Sequence, residues 1–112
     1  MKKSLLVILL ALPGVAFAKA PSCASWPTDM ATTKLQNEGL IKRETLDESR
    51  TKATRLAVEK IGKDLYRQIF DIVIFQKDGT SFEVITDNQS SSEECSVSPV
   101  TIYLVSKNLG NR

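Results

Sequence analysis

Histidine is absent from the 112-residue chain. With it go the Ser-His-Asp and Cys-His nucleophilic systems and every histidine-based metal centre. Glycine is scarce and scattered: Gly39, Gly62, Gly79 and Gly110 stand singly, each near an expected element boundary, so no glycine-rich loop is present to cradle a phosphate. The two cysteines cannot make a standard four-ligand zinc site without histidine. No cofactor and no metal are therefore expected. There is no internal repeat and no coiled-coil heptad. Surplus charge is also missing. Of 15 basic and 13 acidic residues, Lys2 and Lys3 fall in an expected leader, and without them thirteen of each sign remain. Nothing then favours nucleic acid or an anionic membrane, both of which need excess positive charge.

The leader itself is the strongest signal in the chain. Met1, Lys2 and Lys3 form a short positive start, and Leu5 to Leu12 is an unbroken apolar run. Crossing a bilayer takes roughly 17–25 apolar residues, and this run is too short and is broken by Pro13-Gly14. Ala16-Phe17-Ala18 places small residues where a signal peptidase reads them. The expectation is a cleaved signal peptide, residues 1–18, with Lys19 as the mature first residue; Ala18-Lys19-Ala20 is the alternative site. No cysteine follows at once, which argues against a lipid anchor. Stable membrane insertion after cleavage is not expected. The style of leader points to the periplasm of a Gram-negative bacterium. General secretion is the alternative, in which case Asn88-Gln89-Ser90 is a glycosylation acceptor.

Residues 19–112 allow a single compact domain, marginally stable without help. Cys23 and Cys95 are its only cysteines, so an oxidising compartment leaves one intramolecular pairing. A bridge closing so much of the chain is worth about 4–5 kcal/mol by loop entropy, and real bridges commonly give roughly 2–4.

Periodicity then sets the expected elements. Ser25 caps a first helix over 26–38, with Pro27 in its first turn; Gly39 takes the left-handed stop and Leu40 packs back. Asp47 or Ser49 caps a second helix, in which Ala53, Leu56, Ala57, Lys60 and Ile61 follow a helical spacing up to Gly62. From Tyr66 the period switches to two, giving a strand over 66–75 with both faces partly apolar. Lys77-Asp78-Gly79-Thr80 is a hairpin signal, and 81–86 the return strand. Residues 87–98 read as a polar loop, 100–105 as a last strand, and 107–112 as a frayed end. The expected class is α+β: two amino-terminal helices packed on a three-stranded antiparallel meander, α-α-β-β-β, with one disulfide.

The candidate contact residues are Asp87, Asn88, Glu93 and Glu94 in the polar loop, Trp26 in the first helix, and Tyr66 and Arg67 at the helix-to-strand junction. Their ordinary roles are solvated loop, core packing and junction pairing respectively. Beside a free cysteine, adjacent Glu93 and Glu94 would disfavour the thiolate, the reverse of what a reactive nucleophile needs. If catalysis exists it must use carboxylates. Asp71, Asp78, Glu83 and Asp87 are then first in line because the hairpin gathers its strands, and two of them would have to share a concave pocket.

The runs Cys23-Ala24-Ser25-Trp26-Pro27, Ile61-Gly62-Lys63-Asp64-Leu65-Tyr66-Arg67-Gln68, Glu83-Val84-Ile85-Thr86 and Glu93-Glu94-Cys95-Ser96 resemble those of a group of short exported proteins of Gram-negative bacteria. That resemblance spans most of residues 19–112 and implies an exported, single-domain build; it brings no activity with it. In size and build the chain is also similar to periplasmic immunity proteins and enzyme inhibitors, without a shared motif. The expected function is a non-enzymatic periplasmic module that binds another protein, possessing a basic cleft, as an inhibitor or immunity protein does. The alternatives are an envelope-maintenance or adaptor protein, a small-ligand binder and a carboxylate-based enzyme.

Overall fold

The computed structural model describes residues 22–110. The leader 1–18, its cleavage point and the last two residues lie outside the described residues. Among the described residues one helix, α1 (Ser25–Asn37), is followed by two single 3₁₀ turns (Arg43–Thr45 and Glu48–Arg50) and four strands: β1 (Lys52–Gly62), β2 (Leu65–Phe75), β3 (Ser81–Ser90) and β4 (Thr101–Asn108). The strands form one antiparallel sheet in the order β1-β2-β3-β4.

The expected second helix is therefore wrong: those residues are the strand β1, and the fold is α-β-β-β-β. The misreading has a local cause. Ala53 and Arg55 lie opposite Ile72 and Phe70, but the register breaks between Arg55 and Ala57, and Val58 and Lys60 then lie opposite Gln68 and Tyr66. Leu56 is the extra residue of a bulge, which shifts the period-two phase along the strand. Ala53, Leu56, Ala57 and Ile61 consequently recur at helical spacing in a strand. Good helix propensity was overridden by β2, whose backbone groups need a partner on that side. The return to β2 is a tight turn in which Asp64 adopts φ 53, a left-handed position that Asp tolerates.

The other elements arise where periodicity places them, with shifted ends. Ala24 is the N-cap and makes no side-chain cap bond, so Ser25 begins the helix rather than capping it. At the other end Gly39 has φ 79, its N–H donates to Gln36 O, and the Leu40 N–H donates to Leu35 O at 2.9 Å. This is the 5→2 and 6→1 pair of a Schellman stop. Thr80 N–H donates to Asp78 Oδ1 at 2.9 Å inside the β2–β3 hairpin, where Gly79 takes φ 94. β3 continues to Ser90 and β4 to Asn108, so Asp87 and Asn88 are strand residues and the loop is shorter than expected.

Helix α1 lies across β2 and β3 and buries Pro27, Ala31 and Leu35. Beneath it Phe70, Ile72 and Ile74 of β2 meet Phe82 and Val84 of β3, closed off by Ile41 and Leu46. Cys23 and Cys95 form a disulfide with a Cα–Cα distance of 5.5 Å, tying the start of α1 to the β3–β4 connection. The opposite face of the sheet carries Arg67, Ile69, Asp71, Val73 and Phe75 of β2 beside Glu83, Ile85 and Asp87 of β3. Arg50 of the second 3₁₀ turn lies over the Phe75 ring at 4.2 Å, and no described helix or sheet covers the rest. One face against a helix and one toward solvent is the ordinary state of an antiparallel sheet.

Candidate functional site

The candidate residues separate into three groups. Tyr66 and Asn88 lie on the helix side of the sheet and are buried. Asn88 Nδ2 donates to Cys95 O at 3.1 Å, so this side chain holds the disulfide-bearing loop against the sheet. Trp26 is half-buried, with its indole N–H enclosed and unbonded among the described residues. None of these three is set for wide contact with a second molecule.

Arg67 and Asp87 meet on the uncovered face. Arg67 is exposed, and its guanidinium forks onto the carboxylate, Nε to Oδ1 at 3.1 Å and an Nη to Oδ2 at 2.7 Å. They sit on neighbouring strands: Asp87 is opposite Ile69, and Arg67 is opposite Gln89. Hydrogen bonding to Asp87, then its charge, with smaller help from Glu59 and Tyr103, raises the Arg67 pKa above its ordinary value against some desolvation.

Glu93 and Glu94 are exposed on the β3–β4 connection, and that connection is pinned by its own serines. Ser91 Oγ accepts from the Glu93 N–H at 3.2 Å and the Glu94 N–H at 3.0 Å, while the Ser91 N–H donates to Glu94 O at 2.8 Å. Ser92 donates through its N–H and hydroxyl to the two Asp64 carboxylate oxygens at 2.9 and 2.8 Å. Further along, the Gln89 N–H donates to Ser98 Oγ at 2.8 Å. The acidic pair thus stands on a loop fixed to the β1–β2 turn, to β3 and, through Cys95, to the helix start.

The carboxylates considered for catalysis have structural partners. Asp78 accepts from Thr80 within its turn. Asp71 and Glu83 come together diagonally on the uncovered face. Glu83 hydrogen-bonds to Asp71, and this bond, then the Asp71 charge and desolvation, raise the Glu83 pKa; the Ser106 hydroxyl pulls it down. Neither of these acids lines either of the two cavities beside α1. A cavity of about 500 Å³ lies between α1 and the 3₁₀ turns, with Asp29, Arg43 and Glu48 among its lining and Leu46 and Ile74 also facing it. A groove of about 290 Å³ runs between α1 and β4, lined by Lys34, Leu35, Glu38, Leu40, Ile102 and Leu104. No group of three potential metal ligands, and no helix long and apolar enough to cross a membrane, occurs among the described residues.

One surface escaped the sequence reading. Tyr103, Leu104 and Val105 of β4 are 56 %, 51 % and 54 % exposed, and Leu40 borders them across the groove. The available signal was a final strand apolar at successive positions on both faces, with its first charge only at Lys107. No protein-family model matches the chain, and no curated protein or solved structure matches it at a significant level.

Proposed function

We propose that the chain is an exported protein-binding module, held in the periplasm, that blocks a partner protein in the manner of an inhibitor or immunity protein. The observation behind this reading is the immobilised acidic loop: Glu93 and Glu94 are exposed while the backbone beneath them is fixed by Ser91, Asp64 and the disulfide. Ordering a loop before binding reduces the entropy lost at contact. Two adjacent acids suit a basic cleft, through steering and selectivity more than raw affinity. Arg67 and Asp87 at the same end of the sheet add a second polar contact.

The test replaces Glu93 and Glu94 together by Gln and measures binding to whatever protein copurifies with the periplasmic form, at two salt concentrations. Affinity should fall, mainly through a slower on-rate, and the difference should shrink at high salt. Unchanged affinity with the fold and bridge intact would remove the loop from the site. The mixed charges around the 500 Å³ cavity favour a second reading, a small zwitterionic ligand. A small molecule reproducibly present in the native mass spectrum, with no protein partner, would select it.

A further inference from the structure

The two edges of the sheet are built differently. β1 carries Lys52, Arg55, Glu59 and Lys60 and has two breaks in register, the charges and bulges with which proteins keep an edge from pairing. β4 has one register break, at Val105, which adds an exposed apolar side chain, and one charge, Lys107. Its outer backbone groups face away from β3, and no described strand meets them. The apolar surface extends from Leu104 across the groove to Leu40.

We propose that β4 is the seam of a homodimer, in which two copies pair these strands antiparallel about a two-fold axis normal to the sheet. The two four-stranded sheets would become one, with both helices on the same face. A two-fold axis of this kind returns an antiparallel strand of matching length, and each copy supplies the same patch. Charge favours a second copy over a foreign protein. Centred near Tyr103 and Leu104, the axis sends the two Lys107 side chains toward opposite ends, so like charges do not meet. On the groove rim Lys34 and Glu38 form an ion pair at 3.2 Å. The paired charges therefore present no net charge to the partner copy. The strand offers nothing to steer a charged partner, whereas homodimer interfaces are the more apolar class. A standard interface takes about 800 Å² from each copy, so the groove must join the strand in the contact.

The seam is independent of the acidic loop and is tested separately. Sedimentation of the oxidised, leader-free chain over a range of concentrations should show a reversible dimer. Leu104→Lys should weaken it at least tenfold, and Leu56→Lys, at a comparably exposed site on β1, should leave it unchanged. Glu93→Gln with Glu94→Gln should also stay dimeric, so failure of the loop reading and failure of the seam are distinguishable. Amide exchange read against concentration in the unaltered chain guards against a misfolded variant, since β4 should gain protection as the dimer forms. A chain that stays monomeric would overturn the proposal. So would a dimer that leaves β4 amides unprotected, or protection of β4 by a different protein alone.

Discussion

Opening the Cys23–Cys95 bridge should remove a large share of the stability and should do so unevenly. The cysteines are 72 positions apart, and loop entropy for a closure of that size is about 4–5 kcal/mol, of which roughly 2–4 is commonly realised. A domain of this size has about 5–15 kcal/mol in total, so a third or more can disappear with two sulfur atoms. Cys23 is buried, and a serine there would add an enclosed hydroxyl; Cys23→Ala with Cys95→Ala isolates the bridge. Helix α1 buries only Pro27, Ala31 and Leu35, so it should loosen first. Urea unfolding followed by Trp26 fluorescence gives the free energy, and amide exchange gives its distribution. The expected result is a loss of about 2–4 kcal/mol, with α1 amides exchanging much faster than those of β2 and β3. A loss below about 1 kcal/mol, or equal deprotection of helix and sheet, would refute the reasoning.

Ile72 is fully buried beneath α1, and Ile72→Ala should cost about 2–5 kcal/mol in urea titration, while Leu56→Ala on the exposed bulge should stay within about 0.5. Asp64→Ala should cost about 1–3 kcal/mol, because it strains a left-handed backbone position and frees Ser92; exchange at Ser92 reports the second effect. Glu83→Gln should raise the melting temperature at neutral pH. The Glu83 pKa is raised in the fold, so the folded state holds this proton more tightly than the unfolded one, and stability falls as pH climbs from the ordinary glutamate value through the raised one. Glutamine keeps a donor for Asp71 and abolishes that fall. The two melting curves should converge below the ordinary glutamate pKa, and identical melting at neutral pH would sink the assignment.

Helix α1, its Gly39 stop and the Asp78-Gly79 hairpin were legible because each rests on local chemistry that few conformations satisfy. β1 was hidden because the bulge at Leu56 gave a strand the spacing of a helix. The reach of β3 was hidden for a different reason. Asn88 and Ser90 look like loop residues, yet they are buried on the helix side, and Asn88 there holds the disulfide-bearing connection. Cys23 reaches that connection from 72 positions away, a contact that no window of sequence displays. For the site, the exposure of Glu93 and Glu94 was readable, but the rigidity beneath them was not. It comes from Asp64, nearly thirty positions away. The meeting of Arg67 with Asp87 likewise required the β2–β3 register.

In the meander every strand pairs with its neighbour in sequence, and that order has a consequence in time. Hairpins close in about 1–10 μs, whereas disulfides form over seconds to hours. The β2–β3 hairpin alone carries both halves of the buried layer, so it can form before anything distant has arrived. The helix has no surface to dock on until that layer exists, and only its docking brings Cys23 to Cys95. On this order oxidation should come last and read out the success of the others. An oxidant that reaches the chain earlier meets two thiols far apart, each as ready to join a neighbouring molecule as its own mate. Correct pairing then depends on folding faster than the thiols are consumed, a race that local strand order is well placed to win.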